Sequence, residues 1–367
     1  MELSLLYQWL DTYAKVPYNL GESDVASLKI EDVLDSDKKI QDFLHIDFEH
    51  NDTRGSLQLR NEISKLYQQI SAENVLVTTG MIEAILLYFS TRFTPGANVI
   101  VTVPVFHSLY DVPQSIGFEV RKVAISADMQ FRLPISEIKN NLDKNTQAIL
   151  INTPHNPTGV TYSQQEFEEL LTITEAYQCD IVVDEHYRLL PHNDTDTVPS
   201  FINYSPRVIG LGSIGKCYGC VGLRVGWMVA QKELLDRCLA FKCLTTHSLF
   251  KGADYLAYEI IKNHTVLTKK YKQWILINKK LFKQYQEHYS QYIDWIEPNA
   301  GTIAFPKLKF TNDSYGFAEK LVTQTGVSVL PGECFNLPGF FRMRLGVEPA
   351  HFKIAMEKFF KFLDEVI

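Results

Sequence analysis

Cysteine is scarce: the chain has six in 367 residues, too few to staple a fold of this size. Cys179, Cys217, Cys220, Cys238, Cys243 and Cys334 read as reduced thiols of a cytoplasmic protein. Cys217 and Cys220 form a C-x-x-C, but no second pair or nearby histidine completes a zinc set, so no metal is expected. No apolar run reaches the ~18–20 residues that span a bilayer, so no membrane partner is expected. Basic charge is also short. Lys plus Arg number 36 against 43 Asp plus Glu, a formal net charge of −7, and no basic block stands out. That argues against a nucleic-acid partner. The opening Met-Glu-Leu-Ser lacks the basic region and apolar run of a secretory leader. Neither an internal repeat nor a low-complexity linker interrupts the chain.

What remains is an ordinary globular composition, 46% hydrophobic and 22% charged, long enough for two or three structural units. The middle of the chain alternates short β-branched runs with amphipathic segments. Strands are expected at Val75–Thr78, Asn98–Val103, Gly117–Ile125, Ala148–Ile151, Asp180–Val183, Arg207–Leu211 and Val225–Ala230. Helices are expected at Met81–Arg92 and, capped by Ser163, at Gln164–Tyr177. This spacing predicts an α/β fold whose largely parallel sheet is covered by helices on both faces. Helical character dominates from Lys232 to about Gln291. The two ends mix helices, including Ala350–Val366, with short strands, and are expected to meet as a smaller α+β domain.

Four stretches carry candidate chemistry. The first is Ser213-Ile214-Gly215-Lys216, followed through Gly219 and Gly222 by Arg224, between two apolar strands. A lysine there is costly unless it is paired, covalently used or deprotonated. Arg224 offers a fork suited to a phosphate, and the glycines permit close approach of a ligand. The plain alternative is a surface loop. The second is Asn152-Thr153-Pro154-His155-Asn156-Pro157-Thr158-Gly159, at a strand's C-terminal end where parallel sheets place ligands. Asn156 could hold a ligand oxygen there, or the stretch could be a simple turn. The third is Asp184-Glu185-His186-Tyr187, a carboxylate leaving a buried strand and needing a cation, or else a helix cap. The fourth is Thr78-Thr79-Gly80-Met81, a strand–glycine–helix junction whose free N–H groups suit a phosphate.

In this order and spacing the four stretches resemble the fold type I pyridoxal-phosphate enzymes, the class I and II aminotransferase family, over nearly the whole chain. The resemblance implies a large three-layer domain with a mostly parallel seven-stranded sheet plus a smaller α+β domain. Its parts would be 1–45 as N-terminal arm and part of the small domain, 46–274 as the large cofactor-binding domain, and 275–367 as the rest of the small domain. It implies pyridoxal 5′-phosphate as cofactor, with Lys216 as the Schiff-base lysine and proton shuttle. Asp184 would pair with the pyridine nitrogen. Asn156 and Tyr187 would hold the ring's 3′-oxygen. Ser213, Arg224, Gly80 and Met81 would hold the phosphate, and Phe106 would stack on the ring.

Arg342, in Phe341-Arg342-Met343-Arg344, resembles the arginine that clamps the substrate α-carboxylate, with Arg344 as rival. Gly21 resembles the backbone segment over the substrate. The family often places a tyrosine that reaches a neighbouring subunit's phosphate where this chain has His50. The family also implies a homodimer. The implied activity is transamination between an L-α-amino acid and a 2-oxo acid. The alternative is elimination or cyclisation, because Trp9-Leu10 and Asn19–Val25 resemble the subgroup containing capreomycidine synthase. A sensor protein on the same fold is a third class, against which Lys216 and Asp184 both stand.

Overall fold

The computed structural model describes residues 3–367. Seven strands form the central sheet: β1 (Val75–Thr78), β2 (Asn98–Val103), β3 (Glu119–Ala124), β4 (Thr146–Asn152), β5 (Asp180–Asp184), β6 (Val208–Ser213) and β7 (Gly226–Val229). Their order across the sheet is β1-β7-β6-β5-β4-β2-β3, and only β7 runs antiparallel to its neighbours. This is the α/β three-layer architecture of the fold type I pyridoxal-phosphate enzymes.

Alternation along the strands explains the layers. Ile149, Ile151, Ile181, Val183 and Val208 pack into one apolar cluster. Leu150, Val182, Ile209 and Leu211 pack into another on the opposite face. The helix Met81–Arg92 buries Ala84, Ile85 and Tyr88 in the second cluster. The helix Gln164–Thr174 buries Phe167 and Leu170 in the first. Ser163 and Glu166 close that helix's N-terminus with a reciprocal capping box.

The two chain ends meet in small sheets. Phe341–Arg344 lies between Ile303–Ala304 and Leu330–Pro331, and Tyr18–Asn19 pairs in parallel with Val327–Ser328. The N-terminal segment then threads inward. The Leu20 carbonyl accepts from Arg344 N–H at 2.9 Å, and Val25 N–H donates to the Lys216 carbonyl at 3.1 Å. The N-terminal helix Leu5–Thr12 buries Leu6 and Trp9. A 25-residue helix, His264–His288, packs against the C-terminal helix Pro349–Val366. Among the described residues no helix is long and apolar enough to cross a membrane.

Candidate active site

The C-terminal ends of β1, β4, β5 and β6 converge on a cavity of about 230 Å³. Lys216, Asp184, Tyr187, Asn156, Ser213, Arg224, Gly80, Met81, Phe106 and Arg342 all line it. The sequence reading drew these residues from six separate stretches, and the fold brings them together. Gly21 lies at the edge, its carbonyl accepting from Arg342 Nη2 at 2.7 Å. His50 is not among the lining residues. It is exposed, beside His247 with ring centroids 4.9 Å apart.

At one end the cavity meets the start of the Met81–Arg92 helix. Gly80 caps the Met81–Arg92 helix with φ 74° and ψ 167°, a region essentially confined to glycine. A Cβ at Gly80 would sit 2.5 Å from Arg224 Nη2. A Cβ at Gly226 would sit 2.5 Å from Met81 N, so β7 can approach the helix start only through a glycine. Arg224 itself has φ 56° and donates from Nη1 to the Val221 carbonyl at 3.3 Å. The helix N-terminus, the Arg224 fork and the Ser213 hydroxyl together make a donor set that suits a phosphate.

Two carboxylates stand together where β5 ends. Asp184 and Glu185 are both buried, and alternation sends them to different partners. Glu185 meets Arg188 at 3.3 Å and accepts from Ser200 Oγ at 2.5 Å. Asp184 Oδ1 accepts from the His186 N–H at 3.0 Å, while Oδ2 has no protein partner among the described residues. Burial pushes the Asp184 carboxyl up to about 7, with Glu185 adding to the rise and the His186 N–H and Lys216 opposing it. A cationic ring nitrogen at that carboxylate would supply the missing partner. Burial is also the largest influence on the Lys216 amine, holding it below its ordinary value. Arg342 and Arg224 act in the same direction, and Asp24 and Glu22 oppose them.

The turn after β4 is held from behind. Asn152 Nδ2 donates to the Asp184 carbonyl at 2.9 Å, and Asn152 Oδ1 accepts from the Asn156 N–H at 2.5 Å. The buried His155 joins Thr158 Oγ1 and the Pro104 carbonyl, each at 2.8 Å. Burial lowers that imidazole to about 4, so it stays neutral and structural at neutral pH. Asn156 is thereby fixed, with its Oδ1 accepting from Arg342 Nη1 at 3.0 Å. Arg342 is 2% exposed, stands over the Phe335 ring at 5.4 Å, and leaves its Nε without a partner. Its rival is otherwise engaged: Arg344 donates to the Asn19 carbonyl at 3.0 Å and meets Asp24 at 3.3 Å.

Sequence reasoning missed several lining residues. Leu6, Tyr7 and Leu10 of the N-terminal helix, together with Glu22 and Ser23, line the cavity. His186 lies inside a quoted motif, yet its bond to Ser213 Oγ went unforeseen. The register was the available signal, since Asp184 aligns with Leu211 and each strand reaches His186 or Ser213 two residues later.

The family model described as aminotransferase class I and II matches residues 16–359. An aspartate aminotransferase of Sulfurisphaera tokodaii is 28% identical over 320 residues, covering 84% of this chain and 79% of that protein. Capreomycidine synthase of Streptomyces vinaceus is 25% identical over 299 residues, covering 82% of this chain and 76% of that protein. In fold, a PLP-dependent aminotransferase from Streptococcus suis 89-1591 superimposes with a TM-score of 0.93 at 24% identity, covering 100% of this chain and 99% of that one.

Proposed function

The chain belongs to the class I and II aminotransferase family, and from that premise we propose that it is a pyridoxal-phosphate-dependent aminotransferase acting on an L-α-amino acid. One observation carries the reading. A half-buried lysine, a buried carboxylate without a cation and a buried arginine with a free N–H line a single cavity among the described residues. When bound, pyridoxal phosphate supplies an aldehyde carbon that condenses with amines and a ring that accepts the electron pair released at Cα.

The chain's own residues do the rest. Lys216 would hold the cofactor covalently and, once released from it, its Nζ, favoured as the free amine by burial, would act as the proton shuttle at Cα. Asp184 would pair with the ring nitrogen and favour its protonated form, which would make the ring a better electron sink. Tyr187 and Asn156 hold the ring's 3′-oxygen, and Phe106 covers the ring face. Ser213, Arg224 and the N–H groups at Gly80 and Met81 hold the phosphate. Arg342 binds the α-carboxylate through a planar fork that also orients the Cα–H bond toward Lys216. The helix Leu5–Thr12, with Leu6 and Tyr7, helps to exclude water.

A homodimer belongs to the same proposal. Phe48 is 93% exposed and stacks on Phe250, itself 52% exposed, with centroids 6.1 Å apart. This apolar patch lies close in sequence to His50 and His247, which supports the reading that His50 reaches a neighbouring subunit's site.

Elimination with ring closure is the second reading, favoured by the likeness to capreomycidine synthase. Both reactions begin with Cα-proton removal, so the same residues serve either. The test is to incubate the holoenzyme with α-¹⁵N-labelled L-amino acids and a mixture of 2-oxo acids. Label appearing in a new amino acid, with formation of the donor's 2-oxo acid, is expected. Ammonia or a cyclic product without label transfer would replace transamination by the second reading.

A further inference from the structure

We propose that His186 is a positioning residue whose Nε2–H donates to the Ser213 hydroxyl and so turns the Ser213 proton toward the phosphate end of the cavity. The inference rests on the reading of Ser213 as a phosphate ligand and adds a residue to which that reading gives no role.

The geometry starts with register. β5 and β6 are parallel neighbours, and Asp184 aligns with Leu211. Two residues beyond each lie His186 and Ser213, so their side chains emerge side by side at the C-terminal ends of these two inner strands. His186 Nε2 and Ser213 Oγ are in hydrogen-bond contact. Ser213 Oγ also accepts from the Gly215 N–H at 3.0 Å. Ser213 aligns in turn with Gly226 of β7, whose backbone touches Gly80 and Met81. The serine therefore stands at the phosphate cradle, and both Ser213 and His186 line the cavity.

Counting donors decides the proton. A hydroxyl has one proton and two lone pairs, and a neutral imidazole has one N–H. His186 is neutral, because burial lowers its pKa to about 3 with Lys216 and Arg224 acting in the same direction. Its Nδ1 lies 3.9 Å from Asp184 Oδ1, beyond hydrogen-bond reach. If the proton sat on Nδ1, Ser213 would donate to His186 and offer a phosphate only a lone pair. With the proton on Nε2, Gly215 N–H and His186 Nε2–H fill both lone pairs of Ser213. Its own proton must then point outward. A phosphate dianion only accepts hydrogen bonds, so its binding selects this second arrangement. His186 touches neither the substrate nor the reacting carbon in this scheme and acts through Ser213 alone.

The test titrates cofactor-free protein with pyridoxal phosphate and, separately, with pyridoxal, which lacks the phosphate. His186→Leu and Ser213→Ala are each expected to weaken pyridoxal phosphate binding by about tenfold, the scale of one hydrogen bond to a charged group. The double variant should bind no more weakly than either single one, because both remove the same interaction. His186→Gln, which keeps a side-chain N–H donor, should recover most of the affinity, and pyridoxal binding should not change in any of them. In the loaded parent, ¹⁵N NMR should show His186 protonated at Nε2. Losses that multiply in the double variant, parent-like affinity in His186→Leu, or a proton on Nδ1 would overturn the proposal. The phosphate reading fails separately, along with this inference, if neither Ser213→Ala nor Arg224→Ala weakens pyridoxal phosphate binding.

Discussion

Asp184→Asn should make the cofactor-free protein more stable above pH 7 and its hold on the cofactor weaker. Asp184 is 3% exposed and faces no cation closer than the influence of Lys216. Its carboxyl is raised from the ordinary 3.8 to about 7, chiefly by burial. Each pKa unit corresponds to about 1.4 kcal/mol, so the ionised carboxylate costs the empty fold about 4 kcal/mol at pH 8. The sign follows from proton counts. Between the two pKa values the native carboxyl keeps a proton that the unfolded chain has already lost. Stability therefore falls as pH rises from about 4 to about 7 and levels off above that range. Roughly 2–3 kcal/mol of the loss falls between pH 5 and pH 8. Asparagine has no charge to desolvate and keeps an oxygen for the His186 N–H.

Urea unfolding of the cofactor-free parent and the variant at pH 5 and pH 8 reads this directly. The parent should lose about 2–3 kcal/mol more than Asp184→Asn across that interval. With pyridoxal phosphate saturating, the order should reverse, because a cation at the ring nitrogen stabilises the parent carboxylate and not the amide. Parallel pH curves, or a variant less stable than the empty parent at pH 8, would refute the assignment of Asp184 as an uncompensated carboxylate.

Three further outcomes are expected. Gly80→Ala places a Cβ 2.5 Å from Arg224 Nη2 and forces alanine into a glycine-only conformation. The strain of about 1–3 kcal/mol should weaken pyridoxal phosphate binding about fivefold or more, and unchanged affinity would remove Gly80 from the cradle. Arg342→Ala should lower kcat/KM for an amino acid by about 30-fold or more, the scale of losing one partner of a buried charge pair, while sparing the matching amine that lacks the carboxylate. Arg344→Ala should instead lower thermal stability with little selectivity, because it loses contacts to Asn19 and Asp24; a selective amino-acid defect in that variant alone would transfer the clamp to Arg344.

The central sheet was legible because its strands are buried on both faces and read as continuous apolar, largely β-branched runs such as Ile181-Val182-Val183 and Ile149-Leu150-Ile151. The cavity residues were legible where they follow such strands directly, as Asn156, Asp184 and Lys216 do. The N-terminal lining was not. Leu6 and Tyr7 reach the cavity through a helix that packs against Leu330–Phe335, and the chain after it pairs Tyr18–Asn19 with Val327–Ser328, more than three hundred residues away in sequence. Two-residue strands carry no periodicity, so nothing local announces that pairing. The division of labour between Asp184 and Glu185 came from the family resemblance and not from the residues themselves. Both are carboxylates at one strand end, and only the position of Arg188 shows which of them is already neutralised.

The same contrast explains how the site can be both costly and ordered. Glu185 with Arg188, and Asp24 with Arg344, are charges matched within the chain, and they hold the loops on which the cavity depends. Lys216, Asp184 and Arg342 are displaced by burial toward their neutral forms, and each lacks a full complement of protein partners. Burying such groups is unfavourable unless a partner arrives. A cationic ring nitrogen would match Asp184, a carboxylate would match Arg342, and a carbonyl carbon would use the free amine of Lys216. The three unmatched groups thus define three complementary ones, and pyridoxal phosphate with an α-amino acid provides all three. The residues that cost the empty fold most are the ones whose energy ligand binding recovers, which is why the stability of Asp184→Asn and its cofactor affinity should move in opposite directions.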